Sequence, residues 1–190
     1  MRTLAVMLIL MSAKQADSVI IDRIAMVIYN RPIKDSDIDR EIRVTSFLNG
    51  DPLLFTPTER KKAAQRLIDQ RIILREVELG NYAAASDEEV AAFLKSAALQ
   101  NLGTYGLTER ELRTQVGWQI AVLHFIELRF RPAVNVSDAD LAKYAKTHPK
   151  EARPQIEEAL IEQKVTDAFN SWLDRAHKRI PVEYREEDLR

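Results

Sequence analysis

Four times between Thr56 and Asp140 the chain places a serine or threonine three residues ahead of an acid: Thr56-Pro57-Thr58-Glu59, Ser86-Asp87-Glu88-Glu89, Thr108-Glu109-Arg110-Glu111 and Ser137-Asp138-Ala139-Asp140. The hydroxyl of such a quartet takes one orphan N–H of a first helical turn, and the acid reaches back to the cap's own N–H, so each one starts a helix. Pro57, at the first helical position, reinforces the first. Apolar residues at spacings near three and four follow the quartets. They are Ala64, Leu67, Ile68, Ile72, Val77 and Leu79, then Val90, Phe93, Leu94 and Ala97, then Leu112, Val116, Ile120, Leu123 and Phe130. Gly80 and Pro132 are stops. A last helix carries Ile161, Val165, Ala168, Trp172 and Ala176 as one apolar seam that needs a partner.

Outside this helical middle the pattern changes. Val19 to Tyr29 is dense in β-branched residues and runs into the turn cluster Asn30-Arg31-Pro32, which predicts a strand, a tight turn and a short second strand at Ile33. Asp35 or Ser36 then caps a short helix with Ile38, Ile42 and Thr45 on one face, stopped at Asn49-Gly50. Ile180 to Tyr184 reads as a strand that joins the N-terminal hairpin, since two strands alone are marginal. The expectation is a mainly α fold of about five to six helices, with a small β-hairpin joined by the C-terminal strand.

Composition narrows function by exclusion. The 190 residues contain no cysteine, which removes thiolate nucleophiles, thiol redox pairs and cysteine metal sites. With 28 basic and 29 acidic residues there is no bulk charge to attract nucleic acid or an anionic membrane. Arg60, Lys61, Lys62, Arg66, Arg71 and Arg75 form a basic run, but Glu59, Asp69, Glu76 and Glu78 are interleaved with it, so it reads as a solvated face. Arg2, the apolar run Leu4 to Met11 and the small residues to Ala16 have the order of a secretory signal, with cleavage after Ala13 or Ala16; a buried first strand or helix is the alternative. The run is too short to span a bilayer.

Catalytic motifs find no match. Asp35-Ser36-Asp37-Ile38-Asp39 has a calcium-loop opening, but Arg40 and Ser46 stand where glycine and glutamate are required. His124 and Glu127 share a ligand spacing without a second histidine nearby, and His148 and His177 are isolated, so no metal or other cofactor is expected. Gly103-Thr104-Tyr105-Gly106 lacks the glycine pattern and preceding strand of a phosphate cradle. What remains is apolar. Leu53, Leu54 and Phe55 sit consecutively in a loop, either plugging the core or facing another chain. With Phe93, Tyr105 and Trp118 they are the candidate peptide-binding residues.

These segments also resemble the SurA family of periplasmic chaperones. The matching stretches are the signal, Arg23 to Asn30 with its turn, Asp35 to Asp39, Arg66 to Leu74, Ser86 to Val90, Gln119 to Arg131, Val136 to Leu141 and Ala168 to Tyr184 with its Ser171-Trp172-Leu173, in the family's order. The resemblance implies one chaperone domain over residues 17–190, its N-terminal part 17–146 completed by the helix and strand of 153–185. It implies an exported holdase, working without ATP on unfolded or nascent polypeptides during outer-membrane or surface protein biogenesis. Parvulin-type prolyl isomerase domains lie between the two parts in full-length members. Here only Thr147 to Arg153 joins them, so no enzymatic activity is expected. Stable membrane insertion and nucleic acid are not expected, and homo-oligomerisation stays open. The competing readings are a module docking one dedicated partner or itself, a prolyl isomerase, and a helical transcription regulator.

Overall fold

The computed structural model describes residues 22–95, 99–149 and 151–190. The signal region 1–16, Val19 to Ile21 of the expected first strand, and Ala97 lie outside the described residues. The chain enters as β1 (Ile24–Ile28) and β2 (Arg31–Lys34) and continues through α1 (Asp35–Asn49), α2 (Pro57–Leu79), α3 (Asp87–Leu94), α4 (Glu109–Arg129), α5 (Asp138–Thr147) and α6 (Arg153–Arg179) to β3 (Val182–Tyr184). It is a mainly helical fold with a small antiparallel sheet of order β2-β1-β3, in which the C-terminal strand lies against β1 as Met26 opposite Tyr184 and Ile28 opposite Val182.

The helix starts follow the capping chemistry. Ser86 accepts from the Glu89 N–H at 3.2 Å while Glu89 accepts from the Ser86 N–H at 2.8 Å. Thr108 with Glu111 and Ser137 with Asp140 repeat the exchange, and Thr56 accepts from the Glu59 N–H. α1 begins one residue earlier than a cap at Asp35 would place it and two earlier than a cap at Ser36 would. Lys34 is its cap residue, and the Asp37 carboxylate takes the Lys34 N–H at 3.0 Å. Ser36 instead donates both its N–H and its hydroxyl to Asp22. Gly50, with φ 71°, turns the chain out of α1 through the left-handed region that glycine enters without steric cost.

Apolar burial divides into three clusters. The main one joins β1, α2, α4 and α6 around Phe125, which is fully buried and meets Tyr82, Phe130 and Trp172 at ring separations of 5.1, 5.7 and 5.5 Å. Arg129 lies over the Phe125 and Trp172 rings and pairs with Glu76 of α2. A second cluster packs Val90 and Leu94 of α3 with Leu112 and Val116 of α4 and Val44 of α1. A small third one holds α5 to the first half of α6 through Leu141, Ile156 and Leu160. Three side chains expected to point inward do not: Leu79 is 72% exposed, Leu123 60% and Phe93 45%. Leu79 is the last residue of its helix. At Leu123 the buried position moves to Phe125 because α4 passes from the second cluster to the main one, whereas α3 packs on the second cluster through Val90 and Leu94 and leaves Phe93 at an open groove between the helices.

The C-terminal tail is clasped by charge. Arg60 of α2 bonds Asp35 at 2.8 Å, Asp39 at 3.2 Å and Glu186 at 3.2 Å, Lys61 donates to the Arg190 carbonyl, and Leu189 is buried in the main cluster. Burial, and after it the Asp35 carboxylate, push the Glu186 carboxyl above its ordinary range, with Arg60 opposing. Asp35 is likewise half-buried, yet Arg60 and Glu186 hold it below the ordinary range.

Two outcomes follow from this packing. Phe125→Ala removes the ring on which three helices converge and should lower unfolding stability by about 3–5 kcal/mol in a urea titration followed by circular dichroism. A carboxyl whose folded pKa is raised stabilises fully below its unfolded pKa, and the contribution is lost as pH rises through the folded value. Glu186→Gln, which stays neutral, should therefore melt higher than the parent at pH 7 by on the order of 2 °C. The difference should close toward pH 4.

Candidate functional site

An open groove of about 640 Å³ runs between α1, α2, α3, α4 and α6. Its walls are apolar: Leu48 from α1, Ile73 from α2, Phe93 from α3, Trp118, Val122 and Leu123 from α4, Phe169 and Leu173 from α6. Amide and hydroxyl groups of Thr45, Asn49, Gln70, Gln115 and Gln119 lie among them. A narrower cleft of about 310 Å³ adjoins it and shares Glu41, Gln70, Gln115 and Trp118, so Trp118 stands where the two meet.

The floor is a buried charge network. Glu41 is only 5% exposed and would be costly there alone. One carboxylate oxygen accepts from Arg66 Nε at 2.8 Å and from the Thr45 hydroxyl at 3.1 Å, and the other accepts from Gln70 Nε2 at 3.0 Å. Position 41 lies three residues after Ile38 on the inward face of α1, so α1 aims it at α2, and Arg66 and Gln70, one turn apart on α2, receive it. Between these two on α2, Asp69 accepts from Gln65 at 3.0 Å and meets His177 Nε2 of α6 at 2.7 Å, which ties α6 to the groove's edge.

Of the six residues singled out from sequence, the structure brings Phe93 and Trp118 together in this groove. The other four lie around Arg43 and the turn after α1. Leu53 is half-buried against the main cluster. Leu54 is exposed, and Phe55 is 41% exposed beneath the Arg43 guanidinium, 5.2 Å from the ring centre. Tyr105 packs edge-on against Phe47, donates its hydroxyl to the Asp51 carbonyl, and accepts from Arg43 through its own carbonyl. Sequence reasoning passed over Glu41, Val122, Phe169 and Leu173. The available signals were an acid at an inward helical position, and a second apolar pair at i, i+4 flanking the Ala168 and Trp172 seam.

The histidines have structural neighbours. His124 meets Glu89 at 3.0 Å between α4 and α3, and His148 stacks on Tyr144 with ring centres 4.0 Å apart. The carboxylates that open α1 are engaged by Arg23, Lys34, Arg40 and Arg60. Among the described residues no group of three or more histidine or acidic side chains is arranged to hold a metal ion, and no helix is long and apolar enough to cross a membrane.

Floor and wall should respond differently to substitution. Glu41→Ala leaves Arg66 and Gln70 without their acceptor and should cost about 2–4 kcal/mol of stability. Leu123→Ser on the exposed wall should stay within about 1 kcal/mol of the parent in the same chemical denaturation experiment. Neither a scan against protein-family models nor a search of the curated proteins finds a significant match for the chain.

Proposed function

We propose that the chain is a SurA-like holdase that is exported, works without ATP, and keeps unfolded, apolar-rich polypeptides from aggregating by lodging their apolar side chains in the five-helix groove. The observation that carries the reading is the groove's composition. Exposed apolar walls at Phe93 and Leu123 stand over a floor whose charges are already paired. Apolar client groups gain from leaving water against such walls, at about 1.5–3 kcal/mol for each large side chain. Two or three of them supply about 3–9 kcal/mol before the cost of ordering the client is subtracted, which leaves a grip weaker than micromolar and readily reversed. The amides of Gln70, Gln115 and Gln119 offer donors and acceptors to an extended client backbone, whose polar groups would otherwise be buried unpaired.

The reading includes no catalytic step. α5 ends at Thr147 and α6 begins at Arg153, which by the resemblance is the place of the family's isomerase domains. Export rests on the signal-like N-terminus and on that same resemblance.

The test is suppression of light scattering when a urea-unfolded outer-membrane protein is diluted into buffer with the purified chain. Suppression at near-stoichiometric ratio is expected. The double variant Phe93→Ser/Leu123→Ser should keep its helical circular dichroism and bind the client about tenfold or more weakly. A folded double variant that suppresses as well as the parent removes the groove from the reading. A parent that suppresses nothing removes the holdase.

A further inference from the structure

We propose that a third cleft, beneath the β1–β2 turn and sharing Arg71 with the narrower cleft beside the groove, binds a phosphate group. It encloses about 250 Å³ and is lined by Tyr29, Arg31, Arg71, Arg75 and Glu78, with Leu79 at its rim. Arg71 and Arg75 stand one turn apart on α2, where two like charges repel. Arg75 lies over the Tyr29 ring at 4.2 Å and Arg31 reaches Glu78 at 3.4 Å, while Arg71 pairs with no carboxylate among the described residues. The charge of Arg179 is also felt at the Tyr29 hydroxyl, and the second nearby acid, Glu76, is already held by Arg129 at 3.2 Å. Guanidinium groups therefore outnumber the carboxylates that would neutralise them. Their planar forks suit the oxygens of a phosphate, which presents more negative charge and more acceptors than a carboxylate.

The turn itself supports the assignment. Tyr29 and Asn30 have φ of 52° and 59°, the mirror-image two-residue hairpin geometry. Asparagine enters that region readily, whereas a bulky aromatic residue does so under strain, and such strain concentrates at functional sites. Here it sets the ring under Arg75. The Tyr29 hydroxyl has no protein hydrogen-bond partner among the described residues. Burial raises its pKa, so it remains an O–H donor at neutral pH, available to a phosphate oxygen. Leu79, 72% exposed, offers apolar contact to whatever stem the phosphate is attached to.

Inorganic phosphate titrated calorimetrically into the full chain, with chloride at matched ionic strength as control, should show saturable binding. Arg71→Gln/Arg75→Gln should weaken it tenfold or more without changing the circular dichroism, and Arg71→Lys should retain part of it. Phosphatidylcholine vesicles containing phosphatidic acid distinguish the source. Cosedimentation that free phosphate displaces supports the site with a lipid headgroup as its ligand. Saturable phosphate binding without cosedimentation supports it with a soluble phosphate or phosphomonoester. Absence of saturable phosphate binding overturns the proposal, as does equal binding by the folded double variant. Neither result bears on the client groove, whose own readout is aggregation.

Discussion

The structure turns on α4 belonging to two hydrophobic clusters at once. Its first half is fixed by Leu112 and Val116 against α3 and α1, and its second half by Phe125, with Phe130 just beyond its end, against α2 and α6. A helix of 21 residues is about 30 Å long and nearly rigid, so it bridges whatever separates its two anchors. What separates them is the groove. Gln115, Trp118, Gln119 and Val122 occupy the middle of α4 and face into it because the clusters on either side have claimed the neighbouring positions. Phe125 matters most among these contacts, since its ring gathers Tyr82, Phe130 and Trp172 and thereby sets where α6 lies as the far wall.

The network on Glu41 explains why the groove stays open. Apolar side chains at positions 41, 66 and 70 would have an incentive to draw α1, α2 and α4 together and extend the main cluster across the gap. A carboxylate already bonded to Arg66, Thr45 and Gln70 has no such incentive, and covering it further only adds desolvation cost. The bonded floor therefore gives these helices no apolar reason to close over it, and the walls beside it remain apolar.

Legibility in the sequence followed the locality of the forces. Capping quartets act within one turn, so the starts of α2 to α5 were readable from four residues each. The C-terminal strand was readable because an isolated hairpin needs a third member, and β3 supplies it. The inward faces of α3 and α4 were misread at Phe93 and Leu123. Periodicity assumes a single core, and these helices serve more than one cluster or end at a groove. Of the candidate site, sequence located Phe93 and Trp118 as large apolar residues but not their juxtaposition, which depends on how five helices meet. Phe169 and Leu173 widen the apolar face of α6 beyond its central seam, and only the presence of α4 opposite makes that width a wall.

The charges of α2 show the same limit most clearly. In sequence, Arg60 through Arg75 with their interleaved acids look like one solvated face, and charge spacing gives no reason to treat them separately. In the fold each turn of the helix meets a different neighbour. Arg60 meets the start of α1 and the C-terminal tail, Arg66 meets the buried Glu41, and Arg71 and Arg75 meet the hairpin turn. A guanidinium is never neutral at physiological pH, so each of these positions must be supplied with counter-charge, an aromatic face or water. The first two find carboxylates and act as clasps between elements. The last two find a tyrosine ring and a cleft, and the imbalance left there is a property of the tertiary neighbours rather than of the helix that carries the charges.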